Sequence, residues 1–256
     1  MALASWRAAT VLALAAVVCL AGPAAAAGNK TGQVTVFWGR NKDEGTLREA
    51  CDSGLYTMVI ISFLDVYGHG RYHLDISGHP LAGVGDDIKH CQYKGIPVSL
   101  SVGGFGSGYS LPSPSAALDL FDHLWNAYLG GGKPGVRRPF GGDAWLDGVD
   151  LFLERGTAAD RYDVLALELA KHNIRGGAGK PLHLTATPRC AFPPARYLKR
   201  AVDTGIFERV HVRIYDDADC EAYWHLRWEE WTAAYPVFDI FLSNIYNLLA
   251  GSVAYT

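Results

Sequence analysis

The chain predicts an α/β fold, a (β/α)8 TIM barrel, on three observations. From residue 33 onward, short β-branched or apolar runs alternate with amphipathic segments, which implies parallel strands joined by covering helices. The length, 256 residues, is that of one such barrel. One strand-like run, Asp147 to Glu154, ends in an acid just before Arg155 and Gly156, where barrel enzymes carry their reactive groups.

The elements follow in order. Residues 1–27 read as a secretory signal peptide: Arg7 is a positive start, the run from Ala8 to Ala21 is apolar, and Gly22-Pro23 breaks it before the small residues Ala25, Ala26 and Ala27. The run is too short to span a membrane comfortably, so a secreted, extracellular (apoplast or cell-wall) domain over 28–256 is expected. Residues 33–38 read as strand one, 47–53 as a short helix and 58–63 as strand two, before a long loop through Tyr67, His73 and His79. A helix at 86–94 and strand three at 98–102 precede 118–129, where Leu118, Phe121, Leu124, Trp125 and Tyr128 recur at helical spacing. After a Gly/Pro-rich loop at 130–142 comes strand four, 147–154. Tyr162, Leu165 and Leu169 stripe a helix to Asn173. Strand five (183–187), a helix (194–202), strand six (210–215) and a helix (224–233) follow.

Composition narrows the function. Apolar residues make up 49% and charged residues 19%, enough for a core and far from a disordered chain. A net charge of −3 argues against nucleic acid and against an anionic membrane as partners. Cys51, Cys91, Cys190 and Cys220 remain once Cys19 leaves with the signal, an even number for an oxidising compartment. Three pairings are open, and sequential pairing would staple neighbouring βα units. His69, His73, His79 and His90 match no metal-ligand spacing, so no metal or cofactor is expected. Trp38, at the end of strand one, suits either sugar contact or packing.

Strand four holds the chemistry. A strand has period two, so Gly148, Asp150, Phe152 and Glu154 share one face, while Leu151 and Leu153 face covering helices. A buried strand with an incidental acid at its mouth is the plainer reading of this run alone.

The run resembles the D-G-x-D-x-D-x-E signature of glycoside hydrolase family 18, the chitinase family, at every fixed position except the third acid, where Phe152 stands. That resemblance implies a substrate-assisted hydrolysis, in which the final Glu protonates the leaving oxygen and the preceding Asp orients the substrate's N-acetyl nucleophile. Glu154 would keep the acid role, but Phe152 can neither accept a hydrogen bond nor stabilise a developing positive charge. Asp147, Asp150, Glu154 and Tyr215 are then vestiges of a site with no intact catalytic set, and the protein is expected not to be an enzyme.

Further segments extend the resemblance. Phe37-Trp38-Gly39-Arg40 looks like the first βα unit of plant class III chitinases, and Ser101-Val102-Gly103-Gly104 matches the family's S-x-G-G, whose Ser bonds the inner Asp, here Asp150. Where those chitinases present Q-x-Y on strand six, this chain has Arg213-Ile214-Tyr215, putting bulk and charge where a sugar lies. Within the family the likeness is strongest to a subgroup of xylanase inhibitor proteins. It implies the pairing Cys51–Cys91 and Cys190–Cys220, and an Arg after the fourth helix, here Arg175, that enters a xylanase cleft. The bland reading of 175–180 is a Gly-rich helix cap, and the two are compatible.

Microbial xylanases are therefore the expected partners, family 11 type ahead of family 10 type. Chitin oligomers are a second ligand, for a chitin-binding lectin or a weak chitinase. Against its relatives the tail 237–256 diverges and the last strand–helix unit is missing. An incomplete barrel is expected, with open edges at strand one and near Ile240, and with a helix over 245–250 partly plugging the gap.

Overall fold

The computed structural model describes residues 33–175, 182–236, 239–244 and 253–255. Among these, seven strands run parallel around a curled sheet: β1 (Thr35–Trp38), β2 (Met58–Val66), β4 (Val98–Gly104), β5 (Gly148–Leu153), β6 (His183–Ala186), β7 (Arg209–Arg213) and β8 (Asp239–Asn244). The two-residue β3 (His73–Leu74) lies antiparallel on the end of β2, inside the long loop expected there. The helices are α1 (Leu47–Asp52), α2 (Val84–Tyr93), α3 (Pro114–Ala127), α4 (Tyr162–Arg175), α5 (Arg196–Val202), α6 (Ala218–Ala222) and α7 (Trp224–Ala234).

Strand alternation divides two cores. Val36, Val59, Leu100, Val149, Leu184 and Val212 face outward and pack in one cluster with the helices, whereas Phe37, Met58, Ile60, Phe63 and Phe152 form a separate cluster. Buried polar residues share this inward parity on β4 to β7, among them Ser99, Ser101, Asp150, Thr185 and His211. A barrel interior that holds polar side chains must satisfy them internally, and that requirement shapes the site described below.

Helix starts are specified locally. Thr46 and Glu49 form a capping box at α1, with Thr46 Oγ1 accepting from Glu49 N at 3.1 Å and Glu49 Oε2 accepting from Thr46 N at 2.7 Å. Ser113 caps α3, with Pro114 in its first turn. The loop 130–142 is held by Arg138, whose guanidinium donates to the carbonyls of Asn126, Leu129, Gly131 and Ala144 at 2.8–3.2 Å. Cys51–Cys91 ties α1 to α2, and Cys190–Cys220 ties the segment after β6 to α6. With sequence separations of 40 and 30, each stabilises the fold by about 4 kcal/mol in the loop-entropy picture.

Among the described residues the curled sheet is consistent with the expected incomplete barrel, but its edges are not open. The short strand β9 (Val253–Tyr255) runs antiparallel to β8, with Ser243 opposite Ala254, and antiparallel to β1, with Thr35 opposite Ala254. The expectation of exposed edges at strand one and near Ile240 is corrected by this seam. The physical reason is connection length. A parallel strand would need a crossover of about a dozen residues or more, whereas only residues 245–252 separate β8 from β9, enough for a reversal. The helix expected over 245–250 lies outside the described residues, as does the signal peptide 1–27. No helix among the described residues is long and apolar enough to cross a membrane.

Candidate functional site

The site is built at the carboxyl ends of β4 to β7. On β5 the inward-facing residues are Gly148, Asp150 and Phe152, with Glu154 one residue past the strand. Gly148 is required because a Cβ there would meet the His183 carbonyl and Ser99 Oγ.

Asp150 is fully buried, and three hydroxyls satisfy it. Ser101 Oγ donates to Oδ2 at 2.7 Å, and Thr185 Oγ1 and Thr187 Oγ1 donate to Oδ1 at 2.7 and 2.9 Å. His211, on β7, lies 3.9 Å from the same Oδ1. The Ser101–Asp150 bond is the one the resemblance implied. Of the three other groups, Thr185 and Thr187 come from β6 and the residue just past its end and His211 from β7, all at the parity that faces the interior. The hydrogen bonds Asp150 accepts are therefore all internal to the barrel.

Phe152 stands over Asp150 in a ring cluster. Its centroid is 6.0 Å from Phe37, 4.8 Å from Phe63 and 5.1 Å from Phe105. The Arg213 guanidinium caps the cluster, 4.2 Å from the Phe152 centroid, a cation–π distance.

Glu154 is held by two cations. Its Oε1 pairs with Arg213 Nη2, and its Oε2 accepts from Arg189 Nε at 2.8 Å. Arg189, three residues past β6, forms an isolated bridge with Arg213 on β7, and Arg213 N donates to the Pro188 carbonyl at 2.9 Å, so backbone pairing sets the two guanidiniums side by side. Tyr109 Oη accepts from Glu154 N at 3.0 Å and donates to the Gly104 carbonyl at 2.9 Å, and Tyr197 Oη donates to the Glu154 carbonyl at 3.1 Å. Burial pushes both phenols above their ordinary range, with the Glu154 charge adding to the effect on Tyr197. Both phenols therefore stay neutral hydrogen-bonding groups.

The other sequence-predicted residues are placed as follows. Tyr215 is buried beside this cluster, with the Arg213 guanidinium 5.4 Å from its ring. Asp147 is not in the site: it lies at the opposite end of β5, where Oδ2 accepts from Val98 N at 2.8 Å and Gln92 Nε2 at 2.9 Å. Trp38 is buried, its indole donating to the Gly45 carbonyl at 3.0 Å and its ring 4.4 Å from His79, so it packs rather than facing the mouth. His73, His79 and His90 face Asp65, Glu44 and Asp52 respectively, in three separate places. Arg175 closes α4, and its side chain and the loop 176–181 lie outside the described residues. Because α4 runs back from the mouth over 14 residues, about 20 Å, Arg175 sits toward the other end of the barrel from Glu154.

Sequence reading missed Arg189, His211, Thr187, Phe105 and Tyr109. For Thr187 and His211 a signal existed, since each falls at the inward parity of its strand. Arg189 had none, because its role depends on the register of β6 against β7.

Residues 33–239 match the family described as Glycosyl hydrolases family 18. The chain is 71% identical over 230 residues to Xylanase inhibitor protein 1 of Triticum aestivum, covering 88% of this chain and 75% of that protein. It is 39% identical over 216 residues to a Basic endochitinase of Nicotiana tabacum, covering 80% and 70% respectively. Among solved structures it superposes on the xylanase and alpha-amylase inhibitor protein of Scadoxus multiflorus with a TM-score of 0.75 and 36% identity, over 81% of this chain and 77% of that one. A barrel with S-x-G-G on β4, an inner Asp on β5 and a terminal Glu, matched over most of its length by such relatives, belongs to glycosyl hydrolases family 18, in the chitinase-like branch that includes the xylanase inhibitor proteins.

Proposed function

We propose that this chain is a secreted proteinaceous inhibitor of microbial endo-xylanases on a chitinase-like barrel that does not hydrolyse chitin. The observation that carries the inhibitor reading is the 71% identity to a wheat protein of that name. The mouth supports the second half of the reading. A general acid must present a protonated oxygen to the leaving group, and both Glu154 oxygens instead face guanidinium groups. Phe152 replaces the acid that would steady a cationic intermediate, and losing such a group costs a catalyst orders of magnitude in rate.

Inhibition is assigned to Arg175 and the loop after α4. A retaining xylanase sets two carboxyl groups about 5–5.5 Å apart, and a planar guanidinium bridges such a pair with its forked donors. Family 11 type xylanases are favoured over family 10 type. The leader 1–27 supports export of 28–256.

The test is inhibition of several microbial xylanases of both types by the purified chain and by Arg175→Ala. Loss of one partner of a buried interfacial pair should weaken inhibition by about 2–5 kcal/mol. Absence of inhibition by the unmodified chain against every xylanase would refute the function. Near-native inhibition by a folded Arg175→Ala protein would remove only the loop.

A further inference from the structure

The mouth carries one cation more than its ion pair needs. Glu154 and Arg213 are both almost wholly buried, with side-chain exposures of 9% and 1%, and neutralise each other. Arg189 adds a second positive charge to the same carboxylate, yet its side chain is 52% exposed. Among the described residues Arg189 bonds Glu154 through Nε alone, which leaves both terminal nitrogens, Nη1 and Nη2, as a forked donor pair. Asp150 does not use that fork, because it lies beneath Phe152 and takes its hydrogen bonds from three hydroxyls.

An apolar platform lies beside this fork. Phe105 is 49% exposed, unlike Phe37, Phe63 and Phe152 of the same ring cluster, which are 2–3% exposed. It meets Phe152 edge-on at 5.1 Å and Phe63 at 6.2 Å, and the Arg213 guanidinium is 5.9 Å from its centroid. Arg213 and Arg189 are bridge partners, so the ring and the free fork belong to one small surface at the carboxyl ends of β4 to β7. The fork is positioned by backbone pairing and by the Cys190–Cys220 link next to it, so little ordering remains to be done on binding.

We propose that this surface binds a carboxylated pyranoside, a uronic acid unit of an acidic polysaccharide, with the sugar face on Phe105 and the carboxylate on the Arg189 Nη pair. Three features select this ligand class. A neutral sugar leaves the surplus cation unanswered. A small inorganic anion leaves the exposed ring uncovered. An N-acetylated sugar would need the carboxylate that Phe152 replaces to accept from its amide, and a phenyl ring offers no such acceptor. A carboxylate on a ring uses the fork and the platform together, and the two charge-assisted hydrogen bonds should favour it about 10- to 100-fold over its neutral counterpart. Because Arg189 is exposed, that preference should shrink as salt is raised.

The experiment is titration calorimetry of the purified full chain at low salt with four probes: a xylo-oligosaccharide bearing one glucuronic acid, the same oligosaccharide with its carboxyl reduced, sodium acetate, and an N-acetylglucosamine tetramer. The acidic oligosaccharide should bind most tightly. Arg189→Ala should erase its advantage over the reduced form, Arg189→Lys should keep part of it, and Phe105→Ala should weaken both oligosaccharides. Circular dichroism melts of each variant exclude misfolding as the cause. Equal binding of acidic and reduced oligosaccharides, or an Arg189→Ala protein that binds the acid as before, overturns the proposal. Acetate binding as tightly as the acidic oligosaccharide, with Phe105→Ala silent, shows a plain anion site and overturns it too, as does heat from none of the probes. No xylanase enters the measurement, so these outcomes are independent of the inhibitor reading.

Discussion

Replacing Glu154 by glutamine should destabilise this protein, whereas in a working glycosidase the change would chiefly silence the chemistry. Glutamine keeps the shape and one acceptor oxygen but removes the charge that answers Arg213, a guanidinium whose side chain is 1% exposed. Removing one partner of a buried pair costs about 3–5 kcal/mol, because the other ion is left desolvated and uncompensated. Arg189 is half in water and loses little, and the amide oxygen still accepts one hydrogen bond, so the lower end applies: about 3 kcal/mol. For a domain of this size that is a fall in Tm of roughly 6–12 °C. The assay is urea unfolding at neutral pH, comparing midpoints at unchanged slope. A second variant, Glu154→Gln with Arg213→Met, removes both charges and should recover most of the loss. A single variant within about 0.5 kcal/mol of the parent, a difference ordinary for surface changes, would refute a structural role for the carboxylate. So would a double variant less stable than the single one.

Three further outcomes follow from the geometry. Phe152→Asp should not restore chitin hydrolysis, since Arg213 would then pair with the new carboxylate and stay over the site; turnover of chitin oligomers above the parent's would refute this. Arg138→Ala strips the donors from four carbonyls around the loop 130–142 and should cost about 2–4 kcal/mol, read by thermal melt, with little change if those carbonyls are readily rehydrated. His123, stacked at 3.6 Å on Tyr72, is pushed from 6.5 down to about 4 by burial, against the opposing pull of Asp119 and Asp122. The unfolded chain therefore binds the extra proton between those values, and stability is full above pH 6.5 and falls as pH drops toward 4. Partial exposure reduces the effect to about 1–2 kcal/mol, and His123→Phe should flatten the stability slope across that window.

The strands were legible because each is a short run with apolar residues at alternate positions, flanked by turn residues, so 98–102 and 183–187 are found within two residues of β4 and β6. The parity of β5 placed Asp150 and Phe152 on one face, and the missing acid followed from the resemblance of that run to the family signature. The lock on Glu154 was not legible, because Arg189 and Arg213 meet only through the pairing of β6 with β7, and register is a property of two segments. Arg138 was invisible for another reason. Its partners are backbone carbonyls, which every residue carries, so no residue pattern announces them. Strand β9 was missed because three residues are too few for any periodicity to register.

The seam between β1 and β9 also sets a timetable. Thr35 leaves the ribosome early and reaches its antiparallel partner Ala254 only after every helix–strand unit between them has been made. Translation advances at about 5–20 residues per second, so β1 waits on the order of ten seconds or more, paired on one side to β2 alone. During that interval its free edge is open to other unfinished chains nearby. Expression hosts with slow translation and few chaperones should therefore give more aggregate from the same folded product. A purification tag fused directly after Tyr255 would sit on the seam itself, whereas one placed before residue 33 would leave it alone.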